Sequence, residues 1–256
     1  MADLKLIDAS ADNIYGLKLC FYKDTRQEGY RLKAEWLKQR FAEGLKYKVL
    51  CSESEGVVAT IEYVPGEYAW RAVDVSGYMM VHCIFSEYKK YRGQGYASLL
   101  VEESIKDTRK GNMHGVAVVT RKGSWMAGKE LFVKNGFEVV DKAPPDFELL
   151  VKRFDDSTPS GFTEDWDKRL SQYSSGLTII SSDQCPYIVK AVREIAETAE
   201  KQYGITPNII ELKNSKDAQN APSAFAVFGI IYNGKLVADH PISNTRFKTI
   251  MSKESG

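Results

Sequence analysis

The stretch Tyr91-Arg92-Gly93-Gln94-Gly95-Tyr96-Ala97 decides how the first part of this chain folds. It stands between an almost wholly apolar segment, residues 78–85, and a segment over residues 96–110 whose Ala97, Val101 and Ile105 recur at helical spacing. An apolar run of that length fits a strand covered on both faces. Basic Lys106, Arg109 and Lys110 suit the helix's carboxyl-terminal dipole, and Gly111 can end it. The sequence therefore predicts strand, glycine turn, helix. Glycines at such a turn let a backbone approach a ligand closely. The first amides of the helix and the positive end of its dipole then favour a phosphate or pyrophosphate, with Lys89, Lys90 and Arg92 adding charge nearby. No Gly-Lys-Ser/Thr follows, so this is not a P-loop. The dinucleotide pattern Gly-x-Gly-x-x-Gly is also absent. A turn that merely caps a helix is the competing interpretation.

Working outward, residues 1–154 read as mixed α and β. Strands are expected at 4–7, 47–52, 57–64, 78–85, 116–120, 137–140 and 147–153, and helices at 11–22, 30–43, 96–110 and 124–134, the last capped by Ser124. Residues 155–175 are polar and carry Pro159 and Gly161, which reads as a linker with a short helix near Trp166. Residues 176–256 follow the order βαβ, connector, ββα. A helix is expected over 186–203, a hairpin turns at Asn233-Gly234, and a last helix covers 243–252.

Composition limits the functional classes. The chain has 256 residues, 43% hydrophobic and 27% charged, with a net charge of +1. That is ordinary for one or two globular domains. Balanced charge gives no global pull toward nucleic acid or an anionic membrane. No apolar run approaches the ~20 residues that span a bilayer, and the amino terminus lacks a signal-like apolar stretch. A cytoplasmic protein with neither a nucleic-acid nor a membrane partner is expected. Cys20, Cys51, Cys83 and Cys185 are far apart, and His82, His114 and His240 are scattered. No metal site and no disulfide scaffold follow from that spacing.

Arg92-x-x-Gly95-x-Ala97 resembles the Arg/Gln-x-x-Gly-x-Gly/Ala signature of the Gcn5-related N-acetyltransferases, the GNAT family. Residues 128–137, ending in Gly136-Phe137, look like that family's penultimate helix, and the element order over 1–154 matches. Tyr68-Ala69-Trp70-Arg71-Ala72 and Val81-His82-Cys83-Ile84-Phe85 suggest the YoaP-type acetyltransferases within it. The resemblance implies an α/β (α+β) fold with a mixed sheet and acyl transfer from acetyl-CoA, as co-substrate, to the amine of an acceptor, which we expect to be a small molecule. It places the pyrophosphate on Arg92, Gly93, Gln94, Gly95, Tyr96 and Ala97, with Lys90 beside them. The pantetheine arm would run along Cys83, Ile84 and Phe85, near Phe132. An amide there would stabilise the oxyanion.

An ammonium with a pKa near ~10.4 must lose its proton before it attacks. A general base is therefore required. Glu62 and His82 are the strand candidates, with Glu87 beyond them. Val58, Thr60 and Glu62 are expected to share a strand face, and His82 to share one with Tyr78, Met80 and Ile84. A solvated edge carboxylate and a hydrogen-bonded core histidine are the plainer alternatives. Cys83 reads as a packed residue or, less simply, as an acyl-cysteine. Phe132 stands where many family members carry the tyrosine that protonates departing CoA, and Trp125 where they carry an asparagine. Either Tyr91, Ser124 or Tyr96 supplies that proton, or the thiolate leaves unassisted.

Residues 176–256 look like a minimal thioredoxin or glutaredoxin fold. Cys185-Pro186-Tyr187-Ile188 resembles the glutaredoxin Cys-Pro-Tyr-Cys with its second cysteine replaced, and Ala221-Pro222 falls where that fold has a cis-proline. Cys185 ahead of a helix could act as a monothiol. The domains are thus expected at 1–154, 155–175 (linker) and 176–256. A thiol-recognition or redox protein using Cys185 and a non-catalytic CoA-binding regulator are the alternative functions.

Overall fold

The computed structural model describes residues 4–20, 22, 24–53, 56–86, 91, 93–123, 125–159 and 161–254. The chain divides into two compact units. The first comprises Met1–Ala69 and Val73–Phe162, the second Trp70–Ala72 and Thr163–Gly256. Within the stretch expected to be a linker lie a short strand β9 (Gly161–Phe162) and a helix α4 (Trp166–Ser171).

The first unit is built on seven strands: β1 (Leu4–Asp8), β2 (Lys46–Ser52), β3 (Gly56–Pro65), β5 (Tyr78–Ser86), β6 (Gly115–Thr120), β7 (Glu138–Ala143) and β8 (Phe147–Arg153). They lie in the order β1-β2-β3-β5-β6-β8-β7. Only the β5–β6 pair among them is parallel. A parallel pair needs a crossover connection, and helix α2 (Tyr96–Lys110) supplies it. The remaining two-residue strand β4 (Val73–Asp74) pairs antiparallel with β9.

One face of the sheet presents Ile61, Tyr63, Val81, Val116, Val118 and Leu150 to Leu100 and Val101 of α2 and Phe132 of α3 (Lys129–Lys134). Ser104 and Thr108 lie on the buried stripe of α2 as well. Their hydroxyls donate to the Val101 and Ser104 carbonyls, at 2.7 and 2.6 Å, so no hydroxyl is buried without a partner there. Helix α1 (Glu28–Arg40) buries Tyr30, Lys33, Ala34, Trp36 and Leu37. It covers the opposite face, because Lys33 reaches Glu62, whose side chain points away from its neighbours Ile61 and Tyr63.

Several expected elements differ. Among the described residues of 11–22, a 3₁₀ turn, Ile14–Gly16, stands where a helix was expected. The Asn13 side chain accepts from the Ser10 amide at 2.8 Å and donates to the Asp8 carbonyl at 3.0 Å, tying the backbone into a turn. Farther on, Cys20 takes a left-handed φ of 44°. Helix α3 starts at Lys129 rather than near 124, since Trp125 is left-handed (φ 75°). Ser124, its expected cap, lies outside the described residues.

The second unit holds β10 (Leu177–Ser181), α5 (Ile188–Tyr203), β11 (Asn208–Glu211), α6 (Ser215–Gln219), β12 (Gly229–Tyr232), β13 (Lys235–Ala238) and α7 (Asn244–Glu254). Its strand order is β11-β10-β12-β13, with β10 and β11 parallel and the other pairs antiparallel. The first strand of the hairpin, β12, begins only at Gly229, because Ala226 before it is left-handed (φ 65°). The cis peptide bond among the described residues is Pro144-Pro145, so the Ala221–Pro222 bond is not cis.

Candidate active site

Two features of β5 mark the candidate site. The first is where its pairing with β6 stops. The ladder runs from Tyr78 opposite Gly115 to Val81 opposite Val118. β5 then continues to Ser86 while β6, to Thr120, pairs with β8. The parallel strands part at their carboxyl ends, the end where ligands bind in open α/β sheets. Along β5, Tyr78 through His82 are buried, and Cys83, Ile84, Phe85 and Ser86 are half-exposed. Residues 83–85, expected to hold the pantetheine arm, therefore lie where the strands diverge.

The glycine turn follows the same end of β5. Gly95 caps α2 with φ 84°, and its carbonyl accepts the Leu99 amide at 2.9 Å. The Tyr96, Ala97 and Ser98 amides precede that first helical bond. Gly93 also sits at positive φ, 78°. A Cβ added at either glycine would meet nothing within 4 Å among the described residues. The left-handed backbone, not crowding among the described residues, demands glycine here. Gln94 accepts from the Tyr96 hydroxyl at 3.4 Å. Lys90 and Arg92, with Glu87 and Lys89, lie outside the described residues.

The second feature is a β-bulge. Glu62 on β3 stands opposite Cys83, and Tyr63 opposite Val81, so His82 is the extra residue. A bulge sets two consecutive residues against one on the partner strand. The expected alternation is broken: Ile84 pairs with Ile61 on the α2 face, and His82 does not share a face with it. His82 and Cys83 turn together to the Glu62 side.

On that side lies a buried polar cluster. Lys33 and Glu62 are each 1% exposed at the side chain and form an ion pair through Nζ and Oε2. His82 Nδ1 is 3.1 Å from the other carboxylate oxygen, Glu62 Oε1, and its side chain is 0% exposed. Lys33 Nζ lies 4.3 Å from the centroid of the Trp36 ring, and the Trp36 and His82 rings are 6.4 Å apart. Glu62 is thus neither solvated nor at an edge, and His82 is hydrogen-bonded.

Cys20 and Tyr47 complete the cluster. A hydrogen bond with Cys83 does most to lower the Cys20 thiol's pKa; burial opposes it and the Lys33 charge assists. Burial, then the neighbouring Cys20, pushes the Tyr47 hydroxyl well above its ordinary value.

Lys33 and Cys20 were not anticipated from the sequence. A signal for Lys33 existed: a lysine three residues after Tyr30 and four before Leu37 falls on the apolar stripe of its helix. Cys20 gave none, since only folding brings its loop to Cys83.

Phe132 is fully buried in the core, its ring 5.4 Å from Phe137 and edge-on to it. Tyr91 is buried, with its ring 6.1 Å from that of Tyr96. A cavity of about 190 Å³ begins at Thr120, where β6 ends, and is walled by Arg121, Lys122, Lys129 and Glu148. Thr120 Oγ1 is buried there without a hydrogen-bond partner among the described residues. Cys185 is half-buried ahead of α5 in the second unit, and Ile188 is buried in that unit's core. No cluster of three or more metal-ligating side chains occurs among the described residues. No helix among them is long and apolar enough to cross a membrane.

A mixed sheet whose parallel strands part beside a glycine turn and a helix start makes the first unit an α/β protein. Comparison with known proteins shows what the chain is similar to. The chain is 27% identical over 250 residues to the uncharacterized N-acetyltransferase YoaP of Bacillus subtilis (strain 168), a match covering 96% of this chain and 98% of that one. A family model described as YoaP-like matches residues 208–249. Among solved structures, YncA of Salmonella typhimurium with its cofactor acetyl-CoA aligns with a TM-score of 0.45 at 16% identity, over 61% of this chain and 98% of that one. The PaiA N-acetyltransferase of Thermoplasma acidophilum in complex with coenzyme A gives 0.43 at 14% identity, over 59% and 99%. The resemblance to the YoaP-type acetyltransferases thus extends over nearly the whole chain.

Proposed function

We propose that this chain is an N-acetyltransferase that moves an acetyl group from acetyl-CoA to the amine of a small-molecule acceptor by direct attack on the thioester. The match to the YoaP acetyltransferase along 96% of the chain supports the reaction class. The observation that carries the assignment to this site is the coincidence of three features at one end of β5. These are the parting of β5 from β6, the open turn at Gly93 and Gly95, and the buried carboxylate–imidazole pair.

Acetyl-CoA supplies an activated acyl carbon and a thiolate leaving group. The chain's own residues do the rest. The turn at Gly93, Gln94 and Gly95 and the amides of Tyr96 and Ala97 receive the pyrophosphate, with Lys90 and Arg92 adding charge. Main-chain groups of Cys83, Ile84 and Phe85 hold the arm and stabilise the oxyanion. The Glu62–His82 pair takes the amine's proton, through an intervening water because the ring is buried. The amine nitrogen bonds to the acyl carbon, the carbon–sulfur bond breaks, and CoA leaves as the thiolate. A thiol pKa near ~8.5 makes that a tolerable leaving group unaided, which fits Phe132 being packed in the core rather than offering a hydroxyl.

The strand order β11-β10-β12-β13, with one parallel pair followed by a hairpin, supports a thioredoxin-like second domain. Ile188 fills the position of a second cysteine with a core side chain. That argues for a binding or packing role over dithiol redox chemistry.

The test is calorimetric titration of the purified protein with acetyl-CoA, CoA and NADH, followed by an amine screen that detects released CoA. Micromolar binding of both CoA species but not NADH, with amine-dependent release, is the expected result. Absence of CoA binding would overturn the proposal.

A further inference from the structure

We propose that Cys20 and Cys83 form a dithiol modification site, oxidised to a disulfide by a hydroperoxide, and that the disulfide shuts off the transfer site beside it. The pairing rests on the geometry of the first unit. Its effect on turnover rests on the acetyltransferase reading.

Three strands set Cys83 in place. Tyr47 on β2 pairs with Glu62 on β3, and Glu62 pairs with Cys83 on β5, so the three stand in one row across the sheet. The bulge turns Cys83 onto the Glu62 side, and α1 covers that side through the Lys33–Glu62 pair. The loop before α1 is tied to the same helix. The Tyr30 hydroxyl donates to the Leu17 carbonyl at 2.9 Å. The Tyr22 amide donates to the Leu19 carbonyl at 2.9 Å, closing a turn in which Cys20 sits at φ 44°. An anchored turn thus delivers Cys20 to the covered face, where its thiol shares a hydrogen bond with Cys83. Both residues are half-buried, and neither is in a disulfide. Two sulfurs already in hydrogen-bond contact need only a short approach, since a disulfide holds them about 2 Å apart.

The surroundings divide the roles. The Cys83 hydrogen bond, assisted by the Lys33 charge, favours the Cys20 thiolate against burial, and the thiolate is the nucleophile. Burial pushes the Cys51 thiol the other way. With hydrogen peroxide as oxidant the chemistry balances. The Cys20 sulfur attacks one peroxide oxygen, the oxygen–oxygen bond breaks, hydroxide leaves, and Cys20 becomes a sulfenic acid. The Cys83 sulfur then loses its proton and attacks the Cys20 sulfur. The sulfur–oxygen bond breaks and water leaves. Two thiols give up two electrons and two protons, and the peroxide ends as two waters. Cys83 opens the stretch of residues 83–85 proposed to hold the arm and the oxyanion. Closing the bond draws it toward the loop, and a displacement of about 1 Å can cost on the order of a hundredfold in rate.

The experiment treats the intact protein with hydrogen peroxide and has two arms. The first alkylates the remaining thiols and maps the peptides by mass spectrometry, with and without dithiothreitol. A linked Cys20–Cys83 peptide that dithiothreitol removes, with Cys51 still alkylated, is the expected result. Both thiols remaining open to alkylation, pairing with Cys51 or Cys185 instead, or oxidation that ends in sulfinic acid would overturn the dithiol. In Cys83→Ser the sulfenic acid should persist on Cys20 and be trapped by dimedone. A dimedone adduct on Cys83 in Cys20→Ser, with none on Cys20 in Cys83→Ser, would overturn the order of attack. The wild-type map needs neither turnover nor a variant, so it decides the pairing even where a variant does not fold. The second arm follows CoA release from acetyl-CoA and an accepted amine. Peroxide should lower kcat/KM at least about tenfold, dithiothreitol should restore it, and treated Cys20→Ser should keep its own untreated rate. A mapped disulfide with unchanged kcat/KM would overturn the switch. Failure of every amine to release CoA from the reduced protein would overturn the proposed function instead and leave the peptide map to decide the dithiol.

Discussion

Removing Lys33 tests the buried cluster through stability alone, with no substrate. Lys33 and Glu62 are each 1% exposed at the side chain and joined as an ion pair. Lys33→Met roughly preserves side-chain volume and deletes the ammonium. It leaves a carboxylate in a low-dielectric interior, still hydrogen-bonded to His82 but without its counter-charge. Breaking one side of a buried ion pair costs about 3–5 kcal/mol. Against the 5–15 kcal/mol that is typical for a domain, such a loss approaches unfolding. Glu62→Leu, which strands the ammonium, should cost a similar amount. The double variant removes both charges and fills the space with hydrocarbon, a replacement that is often neutral or stabilising. It should therefore be far less damaging than the sum of the singles, with a coupling of about 3 kcal/mol or more between adjacent sites. Urea unfolding of the four proteins at pH 7 measures this, analysed on the transition of the first unit. Single-variant losses below about 1 kcal/mol, the range of exposed pairs, would refute the claim that the pair is buried and coupled. So would simple additivity in the double variant.

Gly95→Val places a β-branched residue at φ 84°, a conformation costing roughly 1–2 kcal/mol for an L-residue. Among the described residues an added Cβ meets nothing within 4 Å. The chain should fold and lose at least about tenfold in acetyl-CoA affinity, equivalent to ~1.4 kcal/mol, by calorimetry; unchanged affinity would remove the turn from the binding site. A second expectation concerns acid stability. Burial would raise the Asp107 carboxyl, but hydrogen bonds from Tyr63, Lys46 and Lys48 outweigh it and hold the pKa below the ordinary value. The folded state then binds this proton less readily than the unfolded one. The stabilisation is full above the unfolded value near ~3.9 and is lost as pH falls through the folded value. Asp107→Asn should flatten the decline in stability that the wild type shows as pH falls below about 4. An equally steep decline in the variant would count against the network.

What the sequence determined by itself was local. A glycine pair before a helical repeat predicts strand, turn and helix. Helix α2 occupies residues 96–110 as expected, because capping, periodicity and the terminating Gly111 agree there. The apolar run that became β5 and the Asn233-Gly234 hairpin were legible for the same reason: each is decided by residues within a few positions of one another. Helix periodicity failed at residues 11–22, where the side chain of Asn13 competes for the backbone.

Tertiary structure decided what lies between distant strands. Strict alternation along residues 78–85 places His82 with Ile84, but the bulge opposite Glu62 and Tyr63 reverses that arrangement. A bulge is a property of two paired strands, and one strand's sequence does not contain it. Glu62 and His82 were visible as candidates. That they touch, that Lys33 from α1 closes the pair, and that Cys20 meets Cys83 depended on folding. Burial strengthens charge interactions and demands partners for each charge. The chemistry of this cluster is therefore set by which chain segments enclose it.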